Sequence, residues 1–137
     1  MSRSLFSGPL TNAPELVVLR FRFQINGTSD PDFIVPVNSG VSEITRSSAG
    51  VFVATLEEKF PVFFGVLGGV IGPSGGSAIN DQSVKATIDG YVASTGLLTF
   101  TVVDAGTAAA ADPTDNSWVF VEATFCRRSG LLPSGAI

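Results

Sequence analysis

The 137-residue chain reads as all-β: an antiparallel β-sandwich, jelly-roll-like, of about eight strands, with extended N- and C-terminal arms. Three observations predict this. Apolar and polar residues alternate with period two in segment after segment, as they do when one strand face meets a core. Turn-forming Gly, Pro, Asn, Asp and Ser cluster between those segments at the spacing of sandwiches and jelly rolls. No stretch sustains a 3.6-residue period. Four consecutive alanines, Ala108 to Ala111, suffice for a helical turn at most, and Asp112-Pro113 stops it.

The organising unit is Ile44 to Pro61. Ser47-Ser48-Ala49-Gly50 reads as a tight hairpin turn between two alternating runs. After it, Phe52, Ala54 and Leu56 share one face, and Val51, Val53, Thr55 and Glu57 share the other. Before it, residues 1–15 are mostly polar and aperiodic, with Gly8, Pro9 and Pro14, and form the predicted N-terminal extended arm. Residues 16–127 form the predicted sandwich domain, and it opens on the clearest strand, Leu16 to Ile25. Val17, Leu19, Phe21, Phe23 and Ile25 make its apolar face, opposite Arg20, Arg22 and Gln24. Asn26-Gly27 starts a turn that continues through Ser29-Asp30-Pro31-Asp32. Phe33 to Val37 is a short strand, and Pro36 inside it argues for a sheet edge.

Asn38-Ser39-Gly40 leads into Val41 to Arg46, the first arm of the hairpin. From Phe60-Pro61 to Ile71 the sequence has no polar face: Phe63, Phe64, Val66, Leu67, Val70 and Ile71 predict a strand covered on both sides, by the core and by a neighbour. It is too short for a membrane span, and Pro61 and the glycines interrupt it. After the loop Gly72 to Ser77, Ser83 to Val92 is expected to run as one strand, with Val84, Ala86 and Ile88 opposing Lys85, Thr87, Asp89 and Tyr91. Leu97 to Val103 turns Leu98, Phe100 and Val102 inward. A long loop of small residues, Asp104 to Ser117, precedes the last strand, Trp118 to Cys126, which has Val119, Val121, Ala123 and Phe125 on one face. Residues 128–137 are a tail with Leu131-Leu132 as its anchor.

Composition narrows the function. Hydrophobic residues make up 45% of the chain and charged ones 15%, against about 25% charged in ordinary domains. So greasy a surface predicts cover from self-association or docking on a larger assembly. The net charge of −4 and the lack of a basic cluster argue against nucleic acid as a partner. No segment of membrane-spanning length argues for a membrane. The single Cys126 excludes an intramolecular disulfide, and the polar N-terminus lacks the apolar core of a secretory signal, so synthesis in a cytoplasm is expected.

Candidate chemistry is sparse. The chain has no histidine, which removes the usual general base and the Ser-His and Cys-His pairs. Glu57 and Glu58 are adjacent in an extended segment and so point to opposite faces. Asp30/Asp32 and Asp112/Asp115 offer oxygens of the kind that bind Ca²⁺, but without a full ligand spacing, and turn capping is the simpler reading. Asn26-Gly27-Thr28 matches a glycosylation acceptor and reads as a turn. Trp118, the only tryptophan, suits either core or rim packing or, with Tyr91, a sugar-stacking surface. No enzyme, cofactor or metal site is expected.

Several segments taken together carry a family pattern. Ile44-Thr45-Arg46 is followed by Ala49-Gly50-Val51-Phe52-Val53-Ala54-Thr55-Leu56 and Phe60-Pro61. Gly90-Tyr91, Gly96-Leu97-Leu98-Thr99-Phe100, Ala111-Asp112-Pro113, Trp118-Val119-Phe120-Val121 and Phe125-Cys126-Arg127 complete it. Over roughly Val41 to Arg127 this order resembles small structural proteins of tailed bacteriophages, which read S-V-T-R…G-x-Y-T-V-T-L, G-T-L-T-I and A-D-P…N-x-R-V. The chain departs from the pattern at Phe52, where Tyr is usual, and at Trp118, where a polar residue is common.

The resemblance implies a non-enzymatic virion component: a head decoration (cement) protein on the capsid exterior, synthesised in the host cytoplasm. Its partners would be further copies of the chain, as a homo-oligomer and specifically a trimer, and the major capsid protein. A tail or fibre location, as a carbohydrate-binding sandwich module, is the alternative. The candidate partner contacts are Leu5, Phe6, Leu10, Phe63, Phe64, Trp118, Leu131 and Leu132.

Overall fold

The computed structural model describes residues 16–73 and 82–127. The two predicted arms, 1–15 and 128–137, lie outside the described residues. Among the described residues nine strands form: β1 (Leu16–Asn26), β2 (Ser29–Val35), β3 (Val41–Ser48), β4 (Val51–Leu56), β5 (Val62–Ile71), β6 (Gln82–Lys85), β7 (Tyr91–Val92), β8 (Leu97–Asp104) and β9 (Trp118–Cys126). All pair antiparallel in one sheet of order β2-β1-β9-β5-β6-β8-β4-β3, with β7 against β8. The expected all-β architecture is therefore present, and its two layers belong to one continuous sheet. That sheet curls until β2 lies beside β3, close to a closed barrel.

Arg46 on β3 fastens this seam. Its backbone N–H donates to Asp30 Oδ1 at 2.9 Å, and its Nη1 donates to the Thr28 carbonyl at 3.3 Å. Its Nε and Nη2 grip the Asp112 carboxylate at 3.1 and 2.6 Å, and that carboxylate also accepts the Gly50 N–H at 2.8 Å. Gly50 holds the hairpin turn at φ +73°, with the backbone of Ala110 and Ala111 where a side chain would stand, so glycine alone fits.

Alternation sends one face of each long strand inward. Val119, Val121, Ala123 and Phe125 of β9 are all fully buried, as are Leu98 and Val102 of β8. The phenylalanines join in two groups. Phe21, Phe23 and Phe52 surround Phe100 with ring centroids 5.9–6.4 Å away. Phe60, Phe63 and Tyr91 surround Phe125 at 4.8–5.4 Å. Burying each such ring contributes about 1.5–3 kcal/mol, and suitably arranged ring pairs add about 0.5–1.5 kcal/mol.

Two local expectations change. Ser29 to Asp32 belongs to β2 rather than to a turn, because an edge strand needs N–H donors on one side only and so accommodates Pro31. Ser83 to Val92 is not one strand. After Lys85 the chain leaves the sheet and makes a 3-10 turn at Ile88–Gly90, closed by Gly90 N–H to the Thr87 carbonyl at 2.9 Å. The turn reverses the alternation: Ile88, expected inside, is 86% exposed, and Tyr91, expected outside, is 9% exposed. On β5 this chain's described residues supply the core side of the expected cover. Phe63, Val66 and Val70 pack on the core, while Phe64, Leu67 and Ile71 face out. A bulge between Phe63 and Gly65 keeps both sets aligned.

Candidate functional site

The outer surface of β1, β9 and β5 is the candidate site. Register fixes its rows. Leu16, Cys126 and Val62 lie side by side at one end. Next come Val18 and Thr124, beside the bulge that carries Phe64. Arg20, Glu122 and Leu67 form the middle row. Arg22, flanked by Val35 of the edge strand, and Phe120 follow, and Gln24, Trp118 and Ile71 close the far end.

This surface is unusually apolar for an outer face. Phe64 is 58% and Leu67 67% exposed, and Leu16, Val18, Val35, Ile71 and Phe120 are exposed as well. Among the described residues, β3, β4, β6 and β8 expose no large apolar side chain. Two shallow depressions cross the face. One lies among Phe64, Val66, Leu67, Glu122 and Thr124, and the other among Arg20, Arg22, Val35, Pro36 and Phe120. Between them Arg20 Nε donates to Glu122 Oε2 at 2.8 Å. So exposed a pair contributes little to stability, about 0–1 kcal/mol, and acts as a polar marker in an apolar field.

The sequence-derived contacts separate here. Phe64 stands outward, but its neighbour Phe63 is committed to the interior, with ring centroids 5.8 Å from Tyr91 and 5.4 Å from Phe125. Phe63 is thus removed from the contact set by strand parity. Trp118 is half-buried at the far end, with the Arg22 guanidinium 4.6 Å over its ring. A cleft of about 410 Å³ beside it is lined by Gln24, Gly72, Pro73 and Asn116. Leu5, Phe6, Leu10, Leu131 and Leu132 lie outside the described residues. Leu67, Phe120, Val18 and Val35 complete the exposed apolar face, and the sequence reading does not single them out. Their signal was a large apolar residue on the nominally polar parity of a strand.

Tyr91 cannot serve as a stacking platform. Its hydroxyl donates to the buried Phe60 carbonyl at 2.7 Å, and burial pushes the phenol up from its ordinary pKa. The loop carboxylates hold turns together. Asp115 accepts the N–H groups of Gly27 and Asn116. Burial pushes the Asp112 carboxyl up, but the Arg46 and Gly50 hydrogen bonds and the Arg46 charge together hold it below its usual range. Hydrogen bonds from Arg127 likewise lower Glu58. Among the described residues no three His, Cys, Asp or Glu side chains are grouped to hold a metal ion, and no helix is long and apolar enough to cross a membrane.

What the arrangement offers chemically is a contact surface: a rigid, hydrogen-bonded sheet with large apolar side chains on one outer side. No protein-family model, curated protein or solved structure matches this chain.

Proposed function

We propose that this chain is a non-enzymatic structural protein of a virion, a decoration (cement) protein on the outside of a tailed-bacteriophage capsid. It would act as a homo-oligomer, a trimer, bridging neighbouring copies of the major capsid protein. The observation that carries the reading is the side-by-side cluster of exposed Leu16, Val18, Phe64, Leu67, Ile71 and Phe120 on β1, β9 and β5, where the other exposed apolar side chains, such as Val37 and Ile88, stand on connections and short edges. Folding does not require these side chains outside. A surface that must adhere does, because removing apolar area from water is the general driving force of stable protein association. The motif order around the hairpin and β9 supplies the virion part of the proposal. The carbohydrate-binding alternative loses Tyr91 to the core and keeps one ring, Trp118, already met by a guanidinium.

Imaging of purified particles from cells that make the chain tests this reading. Density matching residues 16–127 is expected on the outer head surface, with β1, β9 and β5 turned toward a neighbour. Density on the tail instead, or particles whose mass spectra lack the chain, would overturn it.

A further inference from the structure

Resting on that assembly reading, we infer that the outer face of β1, β9 and β5 receives residues 5–10 of a neighbouring copy of the same chain. The apolar side chains of Phe6 and Leu10, which share one side of an extended segment, would seat in its two depressions.

The first argument is reach. Residues 1–15 join β1 at Leu16, in the row of Cys126 and Val62, beside the end of the face that carries Phe64. Fifteen extended residues span up to about 50 Å, and the nine residues of β9 measure only about 30 Å. The segment is long enough to cross to, and along, another body.

The second argument is spacing. The depressions are offset by one to two strands sideways and two to three residues along β9, roughly 10–15 Å in all. Phe6 and Leu10 are four residues apart, about 13 Å in extended chain. Character agrees too. Arg3 and Glu15 are the segment's only charges, so residues 5–10 bring no ion to desolvate on an apolar surface.

The third argument selects the neighbour over the chain's own face. β1 runs from the Leu16 row toward the Gln24 row, so the face extends forward from Leu16 along the chain. Lying on its own face would require a full reversal within Thr11 to Glu15. A segment passed from each copy to the next is a head-to-tail contact, and such contacts close into rings such as trimers.

Cross-linking of the full-length chain tests the exchange. Cys126→Ser serves as background, since Cys126 is the only thiol. One chain then carries Leu10→Cys and a second, of different mass, carries Leu67→Cys. Docking places the two thiols at millimolar effective concentration, so the mixed disulfide should form about a hundredfold faster than with Val37→Cys, which lies on the β2–β3 connection. A rate equal to the Val37→Cys control overturns the proposal. So does a Leu10→Cys/Leu67→Cys chain that closes only within itself.

As a second measurement, the triple change Leu5→Ser, Phe6→Ser, Leu10→Ser should reduce the light-scattering mass to that of one chain while leaving the urea midpoint of the fold in place. An unchanged oligomer overturns the exchange. The imaging experiment reads the chain's presence on the head whatever route the segment takes, so the two proposals fail separately.

Discussion

The barrel has two outer sides built by the same rule, and they differ in what they show to water. On β4 and β8 the outward positions are Val51, Val53, Thr55, Leu97, Thr99, Thr101 and Val103, all half-buried and all but Leu97 short. On β1, β9 and β5 the same parity carries Val18, Phe120, Phe64, Leu67 and Ile71, which are longer and more exposed. Both sides present a complete core face beneath, so folding explains the inward residues of each. It explains only one of the outer surfaces. Thr and Val satisfy strand propensity without a large apolar area, whereas Phe and Leu on an outer face leave apolar area in water that a lone chain does not bury. The difference teaches that folding alone does not account for the second side, which is where the proposed contact is placed.

The sharpest way to break this comparison is to remove a ring that both sides share. Phe100 on β8 touches Phe21 and Phe23 of β1 and Phe52 of β4, and 1% of it is exposed. Phe100→Ala should cost about 3–5 kcal/mol, seen as a large fall in the urea midpoint. A loss below about 1 kcal/mol would mean that the two sides do not share one core.

A smaller effect is expected at the seam. Asp112→Ala takes the carboxylate from the Arg46 guanidinium, which keeps only the Thr28 carbonyl, and the acceptor from the buried Gly50 N–H, and an orphaned buried donor costs about 1–3 kcal/mol. The sign of its pH dependence follows from the direction of the shift. Because the folded chain holds this carboxyl below its usual range, its contribution is complete above the unfolded value of about 4 and is lost as pH falls through the lower folded value. The stability gap between the parent chain and Asp112→Ala should therefore be constant near neutral pH and narrow below about pH 4. A gap that persists unchanged into acid would assign the loss to packing instead of to the carboxylate.

The seam also marks where the sequence stops being legible. β1, β4, β8 and β9 follow from alternation because each has one wet and one dry face, and their inward residues were readable one by one. Asp112 was readable only as a turn former, since nothing local says that a residue 66 positions from Arg46 will meet it. Tyr91 and Ile88 exchanged places because a three-residue turn shifts parity without leaving a Gly-Pro signature in front of it. In β5 the continuous apolar run hid a division of labour. Phe63 faces in and Phe64 out, and a bulge, which composition does not announce, preserves that division. Thus the interior was legible as a pattern, and the contact face only as an excess of apolar residues.

The smallest expected change in stability is also the most discriminating, and it concerns Leu67. Its side chain stands in the middle of the outer face, beside the Arg20–Glu122 pair, and is two-thirds exposed. If the face is open in an isolated chain, Leu67→Ser removes little that folding had buried. At low protein concentration its urea midpoint should then match the parent's to within about 0.5 kcal/mol. At high concentration the parent should gain stability with concentration, because binding to the folded state alone raises its apparent stability by mass action, and Leu67→Ser should lose that gain. Had the face been filled by the chain's own terminal segments, the substitution would lower stability equally at every concentration. The concentration series therefore separates a surface that completes a fold from one that joins two of them.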